Sequence, residues 1–312
     1  MKKTIDFLKK YQLIGYFLGI LSCITVVVIA ESINSNEVLY DNSSSNTSFD
    51  NVQDAIDDLY NIYDHSSLGF SLLTHTPTGL STSLVAGMYR YQGTTANNYI
   101  CFGTTNKNDC VSDTDKYMYR IIGINESGEL KLIKKEALNT SYQWSSPTGS
   151  DWAHCILFTN LNGSAFLENL TYIPDNTWSA RITNSDWHYY TSSDSTASTI
   201  AERELEAPTV SAKIGLISLT DYAYVNITPT YSNTSWIELS KNDSGAPNGF
   251  DWSITSYNSI APWHIGNGGV LGSGTSDAYA DARHSVRPVF FLSASETIAS
   301  GSGTITDPYI LS

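Results

Sequence analysis

Between Leu13 and Ala30 the chain reads LIGYFLGILSCITVVVIA, eighteen residues without a charge. As a helix rising about 1.5 Å per residue, this run reaches roughly 27 Å, close to the thickness of a bilayer core. Its position and its lysine flank argue against a buried core helix. Lys2, Lys3, Lys9 and Lys10 precede it against a single Asp6. Lysines on that side hold the N-terminus in the cytoplasm, so the chain after residue 30 is expected to be exported. Three fates fit the segment. It stays as a signal anchor; or it is cleaved after Ala30, with Val28 and Ala30 meeting the small-residue rule; or Ile20-Leu21-Ser22-Cys23 is a lipidation box. The last fits least well, because Cys23 runs on into ITVVVIA rather than a polar tether.

Export makes sense of the charge balance. The whole chain has 17 basic and 31 acidic residues, a net −14, and only 15% charged residues, where about 25% is typical. Setting aside residues 1–30, with four lysines and one aspartate, leaves 13 basic and 30 acidic residues, or −17. Such a surface excludes a nucleic-acid partner, whose footprint is a basic patch. At 12% aromatic residues the chain is no disordered tail, and four cysteines in 312 residues are too few for a disulfide-built mini-scaffold.

Residues 31–85 are expected to form a polar linker and a short helical stalk, with the globular ectodomain over 86–312. In the stalk, Asp50 is a plausible N-cap with Gln53 three residues on. Val52, Ile56, Leu59 and Tyr63 then share one helical face. That stripe must pack on its own domain or on copies of itself, which would make the 50–63 helix a route to a homo-oligomer. From Gly87 the pattern turns to strands: Met88–Tyr91, Tyr99–Phe102, Tyr117–Ile124, Leu130–Ile133, Ala212–Leu219 and Val286–Leu292, with a closing hairpin of Thr297-Ile298 against Tyr309–Leu311. Residues 138–210 read as irregular, with helices around Ser164–Leu170 and Ile200–Leu205. The fold class is therefore α+β and β-dominated.

Cys101 and Cys110 enclose the polar turn FGTTNKND. In an oxidising compartment they are a natural disulfide; two free thiols are the alternative. Cys155 in WAHCILF reads as a buried core thiol. Adjacent strand residues point to opposite faces, so His154 and Cys155 would not form a catalytic dyad.

The ordered blocks NNYICFG, DKYMYRIIGI, LKLIKKEAL, AKIGLISLTDYAY, DWSITS, SVRPVFFL and GSGTITDPYIL resemble an uncharacterised surface-exposed domain family of gut-associated Gram-positive bacteria. That family is remotely similar to the C-type-lectin-like fold of formylglycine-generating enzymes and phage tropism determinants. The string YDNSSSNTSFDNVQDAIDDLY is similar to a stalk segment of phage-tail-like proteins. The resemblance covers roughly Gly87 to Leu311. It implies a C-type-lectin-like domain and carries no biochemical activity. The copper-holding C-terminal cysteine pair of the enzymatic branch is missing, since no cysteine follows Cys155. The Glu-Pro-Asn and Gln-Pro-Asp calcium loops of the sugar-binding branch are missing too, so neither metal nor cofactor is expected.

No nucleophile elbow, zincin helix or phosphate-cradling loop is present in the sequence, and no catalytic residue is assigned. Glu202, Glu204 and Glu206 alternate in a polar stretch and read as a solvated face. The strongest binding candidates are Trp236, Trp252, Tyr257, Trp263 and His264, aromatic groups among Gly, Asn and Ser that suit a glycan or a peptide surface. The competing reading puts Trp236 and Trp252 in core strands and leaves Tyr257 an ordinary loop tyrosine, with Trp263 and His264 the more loop-borne pair. Arg287 in VRPVFFL is expected to anchor buried carbonyls or a carboxylate, and His284 just before it has no evident role. The leading expectation is a non-enzymatic, cell-surface recognition or adhesion module, membrane-bound through residues 13–30 or secreted. A cell-envelope enzyme acting on polysaccharide or peptide, and a structural appendage subunit, are the alternatives.

Overall fold

The structure is a computed structural model that describes Leu72 and residues 78–146, 151–170, 177–194, 196–225, 250–266, 271–272 and 279–312. The apolar segment 13–30, the linker over 31–47, the expected 50–63 helix and Trp236 lie outside the described residues. Among the described residues no helix is long and apolar enough to cross a membrane.

Two short strands open the sheet, β1 (Leu80–Val85) and β2 (Met88–Tyr91), joined by a turn in which Ala86 and Gly87 have φ of 46° and 68°. β3 (Tyr99–Cys101) follows, then the short helices α1 (Lys107–Ser112) and α2 (Thr114–Tyr117). The long strand β4 (Met118–Asn125) comes next, and β5 (Leu130–Lys134) closes the meander. β4 is buried from Met118 through Ile124, as expected of a strand covered on both faces. It is long enough to hold two partners end to end, β3 across Met118–Arg120 and β2 across Gly123–Asn125. The ladder to β5 shifts register between Ile121 and Gly123. A Cβ at Gly123 would lie 2.3 Å from the Tyr89 carbonyl oxygen, so this irregularity needs glycine.

The central part of the chain contributes β6 (Tyr142–Gln143), a 3₁₀ turn at Trp152–His154, α3 (Ile156–Leu161), α4 (Ser164–Leu170), α5 (Thr177–Ala180), β7 (Ser185–His188), α6 (Ala197–Glu206) and β8 (Thr209–Ala212). It continues through β9 (Ile214–Gly215) and α7 (Leu219–Tyr224). The remainder supplies β10 (Phe250–Ser256), β11 (Pro262–Gly266), β12 (Leu271–Gly272), β13 (Arg283–His284), β14 (Val289–Leu292), β15 (Ile298–Ser300) and β16 (Ile310–Leu311). The seven-stranded main sheet runs β1-β2-β4-β5-β14-β9, with β3 also on β4, and every pair in it is antiparallel. A three-stranded sheet, β10-β11-β12, stands beside three two-stranded ribbons. The protein is thus a β-rich α+β fold. Its core is aromatic: Phe102 lies 4.8 Å from Phe290 and 5.2 Å from Trp178, ring centre to ring centre, contacts worth about 0.5–1.5 kcal/mol each beyond burial.

Several expectations change here. LSTSLV, read as linker, is β1, an edge strand of the main sheet paired to β2. Ala212–Leu219 is not one strand. It breaks between β8 and β9, and Ser218 then caps α7 by accepting from Asp221 N at 3.0 Å while Asp221 Oδ2 accepts from Ser218 N at 3.2 Å. In VRPVFFL the strand starts only at Val289, after Pro288, which has no N–H to give a ladder.

Cys101 and Cys110 form the expected disulfide, and both are fully buried beside Met118 and Ile310. The neighbouring terminal hairpin ties in through Cys101 N to Tyr309 O and Tyr309 N to Tyr99 O, both 2.9 Å. By the chain-entropy estimate, a loop of about ten residues stabilises by roughly 2.7 kcal/mol. The double variant Cys101→Ser, Cys110→Ser is therefore expected to lose about that much in urea unfolding. The same midpoint with and without reductant would show that the bridge contributes nothing.

Candidate functional site

β10 and β11 hold most of the aromatic candidates, and the ladder between them settles where they point. Trp252 pairs with His264 across it. Trp252 is only 1% exposed; its Nε1 donates to Tyr142 O at 2.7 Å and its ring centre lies 4.1 Å from that of His284. His264 and His284 are both buried, 5.2 Å apart, ring centre to ring centre. Trp263 is buried in a satellite cluster with Tyr190, Ile200 and Leu219, and donates to Ser192 O at 2.8 Å. The expectation of a loop-borne Trp263 and His264 is overturned. Ala261-Pro262 and Gly266 mark the ends of a strand there, and PWHIG is buried throughout. Trp252, Trp263 and His264 offer no open face to a ligand.

Tyr257 stands apart. It lies half-buried in the β10–β11 turn, edge-on to Trp263 at 5.3 Å. In the same turn Ile260 is exposed, as is Tyr279, whose neighbour Ala280 donates to Ile260 O at 2.9 Å. Two exposed apolar side chains and a half-buried ring thus share adjoining segments with Asn258 and Ser259.

Arg287 behaves as expected: its Nε donates to Asp251 Oδ2 at 2.9 Å, both side chains buried. Cys155 is a buried thiol, pushed up to about 12 by burial, and its Sγ accepts from Phe158 N at 3.2 Å as the cap of α3. His154 faces solvent with Nδ1 2.6 Å from Asp151 Oδ1. His154 ends the 3₁₀ turn and Cys155 follows it as the cap of α3, so the expected strand alternation is absent and the two still diverge, one exposed and one buried.

A second feature was not expected from the sequence. Asp221, fully buried, joins two buried cations: Arg90 Nε reaches its Oδ1 at 3.1 Å and Lys131 Nζ its Oδ2 at 2.6 Å. Burial alone would raise the Asp221 carboxyl, but Lys131 and Arg90 outweigh it and hold the group at about 2. Above this triad opens a cleft of about 270 Å³ between the β1–β2 and β4–β5 turns, β7 and the end of α6. Glu204 lines it and is 8% exposed, with Oε2 accepting from Ser218 Oγ at 3.2 Å. The solvated face expected for Glu202, Glu204 and Glu206 thus holds for the first and last only. The signals for this cluster were a charge inside each of two apolar strands, MYRY and LKLI, and the Ser-x-x-Asp cap in SLTD. Among the described residues no group of three or more His, Cys, Asp or Glu side chains is arranged to hold a metal ion. No protein-family model matches the chain, and comparisons with curated proteins and with solved structures found no match.

Proposed function

We propose that this chain is an exported recognition module, held at the membrane through residues 13–30 or released, whose C-type-lectin-like ectodomain binds a glycan or protein through its loops. The observation that carries this reading is the β10–β11 turn. Tyr257, Ile260 and Tyr279 give it an apolar surface, and Asn258 and Ser259 add amide and hydroxyl groups beside it. A flat ring stacks on a sugar or peptide face while polar neighbours fix orientation. The apolar run behind its lysine flank and the Cys101–Cys110 bridge support an exported, oxidising setting.

The test is a glycan and protein array probed with labelled residues 63–312, which form one compact unit. Binding to a discrete set of ligands is expected, weakened at least about tenfold by Tyr279→Ala, the loss of one good aromatic contact. Uniform silence from a folded sample would remove the loop reading.

A further inference from the structure

The cleft above Asp221 is lined by buried charge of both signs, held on opposite groups. Arg90 and Lys131 are two cations sharing one carboxylate, so the triad keeps one positive charge. Among the described residues Lys131 Nζ donates one hydrogen bond, to Asp221, although an ammonium has three N–H groups. Glu204 is the opposite case: a carboxylate with several acceptor sites, which accepts from Ser218 Oγ alone among the described residues. Arg90, Lys131 and Glu204 are 2%, 5% and 8% exposed. His188 lines the same cleft, and its Nδ1 is buried without a hydrogen-bond partner among the described residues. Arg90 is satisfied by Asp221 and the Val85 and Met88 carbonyls, and Lys131 also lies 5.3 Å from the Trp187 ring centre; the capacity left on Lys131, Glu204 and His188 favours a ligand that supplies its complements.

The chemistry of the mouth narrows the choice. Glu126 and Asp186 are exposed on the rim, and with the chain's net charge of −14 they oppose entry of a plain anion. At the base the single positive charge left on Arg90 and Lys131 after Asp221 opposes a cation on their side, and Glu204 opposes an anion on its own. A ligand that is neutral overall yet carries both signs meets neither barrier. The volume of about 270 Å³ lies just under the roughly 300–1,000 Å³ of drug-sized sites, which fits one small molecule and no oligomer. Trp187, Ile254 and Phe291 supply an apolar wall.

We infer that this cleft binds a free α-amino acid, its carboxylate toward Lys131 and Arg90, its ammonium toward Glu204, and its side chain against the apolar wall. The site is separate from the β10–β11 turn and does not depend on what the loops bind.

Equilibrium dialysis of the full chain in detergent micelles, with radiolabelled α-amino acids, tests this. Apolar amino acids are expected to bind better than acidic or basic ones. Their N-acetyl and carboxamide derivatives should each bind at least about tenfold more weakly, since one charge-assisted hydrogen bond is lost. Glu204→Gln should weaken the parent amino acid by a similar factor and leave the N-acetyl derivative unchanged. Tyr279→Ala should leave amino-acid binding unaltered. The derivatives read the same charges on unaltered protein, so a variant that misfolds does not block the test. No binding of any amino acid at millimolar concentration overturns the inference, as does equal binding of parent and blocked derivatives. In either case array binding through the loops would still stand, and silence in both assays would remove both readings.

Discussion

Replacing Asp221 with alanine is expected to cost about 3–5 kcal/mol of unfolding free energy, the usual result of removing one partner from a buried ion pair. Domains of this kind have about 5–15 kcal/mol in all, so the loss is a large fraction. The carboxylate does three jobs at one point. It accepts from Arg90, from Lys131, and from Ser218 N at the start of α7. Without it two cations sit unbalanced next to each other in strands β2 and β5. Urea unfolding of Asp221→Ala, with Asp221→Asn as the variant that keeps shape and loses charge, separates the two contributions. If the charge dominates, both variants fall by similar amounts. A loss below about 1 kcal/mol in both, the scale of an exposed pair, would show that the triad is not buried as described. The sign with pH follows from the lowered native value of about 2. The unfolded aspartate titrates near 3.9, so the stabilisation is fully present above that range and is lost as pH falls toward the native value. The wild type should therefore lose stability between about pH 4 and 2, with a shallower slope in Asp221→Asn.

What could be read from the sequence followed the physics of each element. β4, β5 and β14 are buried on both faces and announce themselves as dense apolar runs, and the close Cys101–Cys110 pair spans a turn that a disulfide can close. β1 escaped because an edge strand with one solvated face needs few apolar residues, and LSTSLV has the composition of a linker. The end of Ala212–Leu219 reads as strand because its apolar run continues to Leu219 and hides the Ser218–Asp221 cap within it. The site was less legible than the fold. Trp263 and His264 sit among glycines and polar residues, and composition along the chain does not report what packs on them from β12, β13 and the segment around Ser192. Arg90 and Lys131 each interrupt an apolar strand. Such a charge is compatible with an edge, a snorkelling side chain or a buried pair, and only the distant Asp221 decides between them.

Trp252→Ala is the second large effect, expected to cost about 3–5 kcal/mol. The ring fills the space between β10, β11 and β13 at 1% exposure, and its Nε1 satisfies the Tyr142 carbonyl. Truncation therefore leaves a cavity and an unpaired acceptor together. The contrasting variant is Tyr257→Ala, half-buried in the turn, expected to cost far less stability than Trp252→Ala while weakening whatever the loops bind. Measured side by side in denaturant and on the array, the pair assigns each aromatic residue to core or surface by which readout moves. A stable Trp252→Ala that lost ligand binding would return that ring to the binding face, and would require β10 to be opened from β13. The packing argues against this. Trp252, His264 and His284 form one buried cluster of edge-on and tilted rings across three strands, and exposing any one of the rings would strip contacts from the other two.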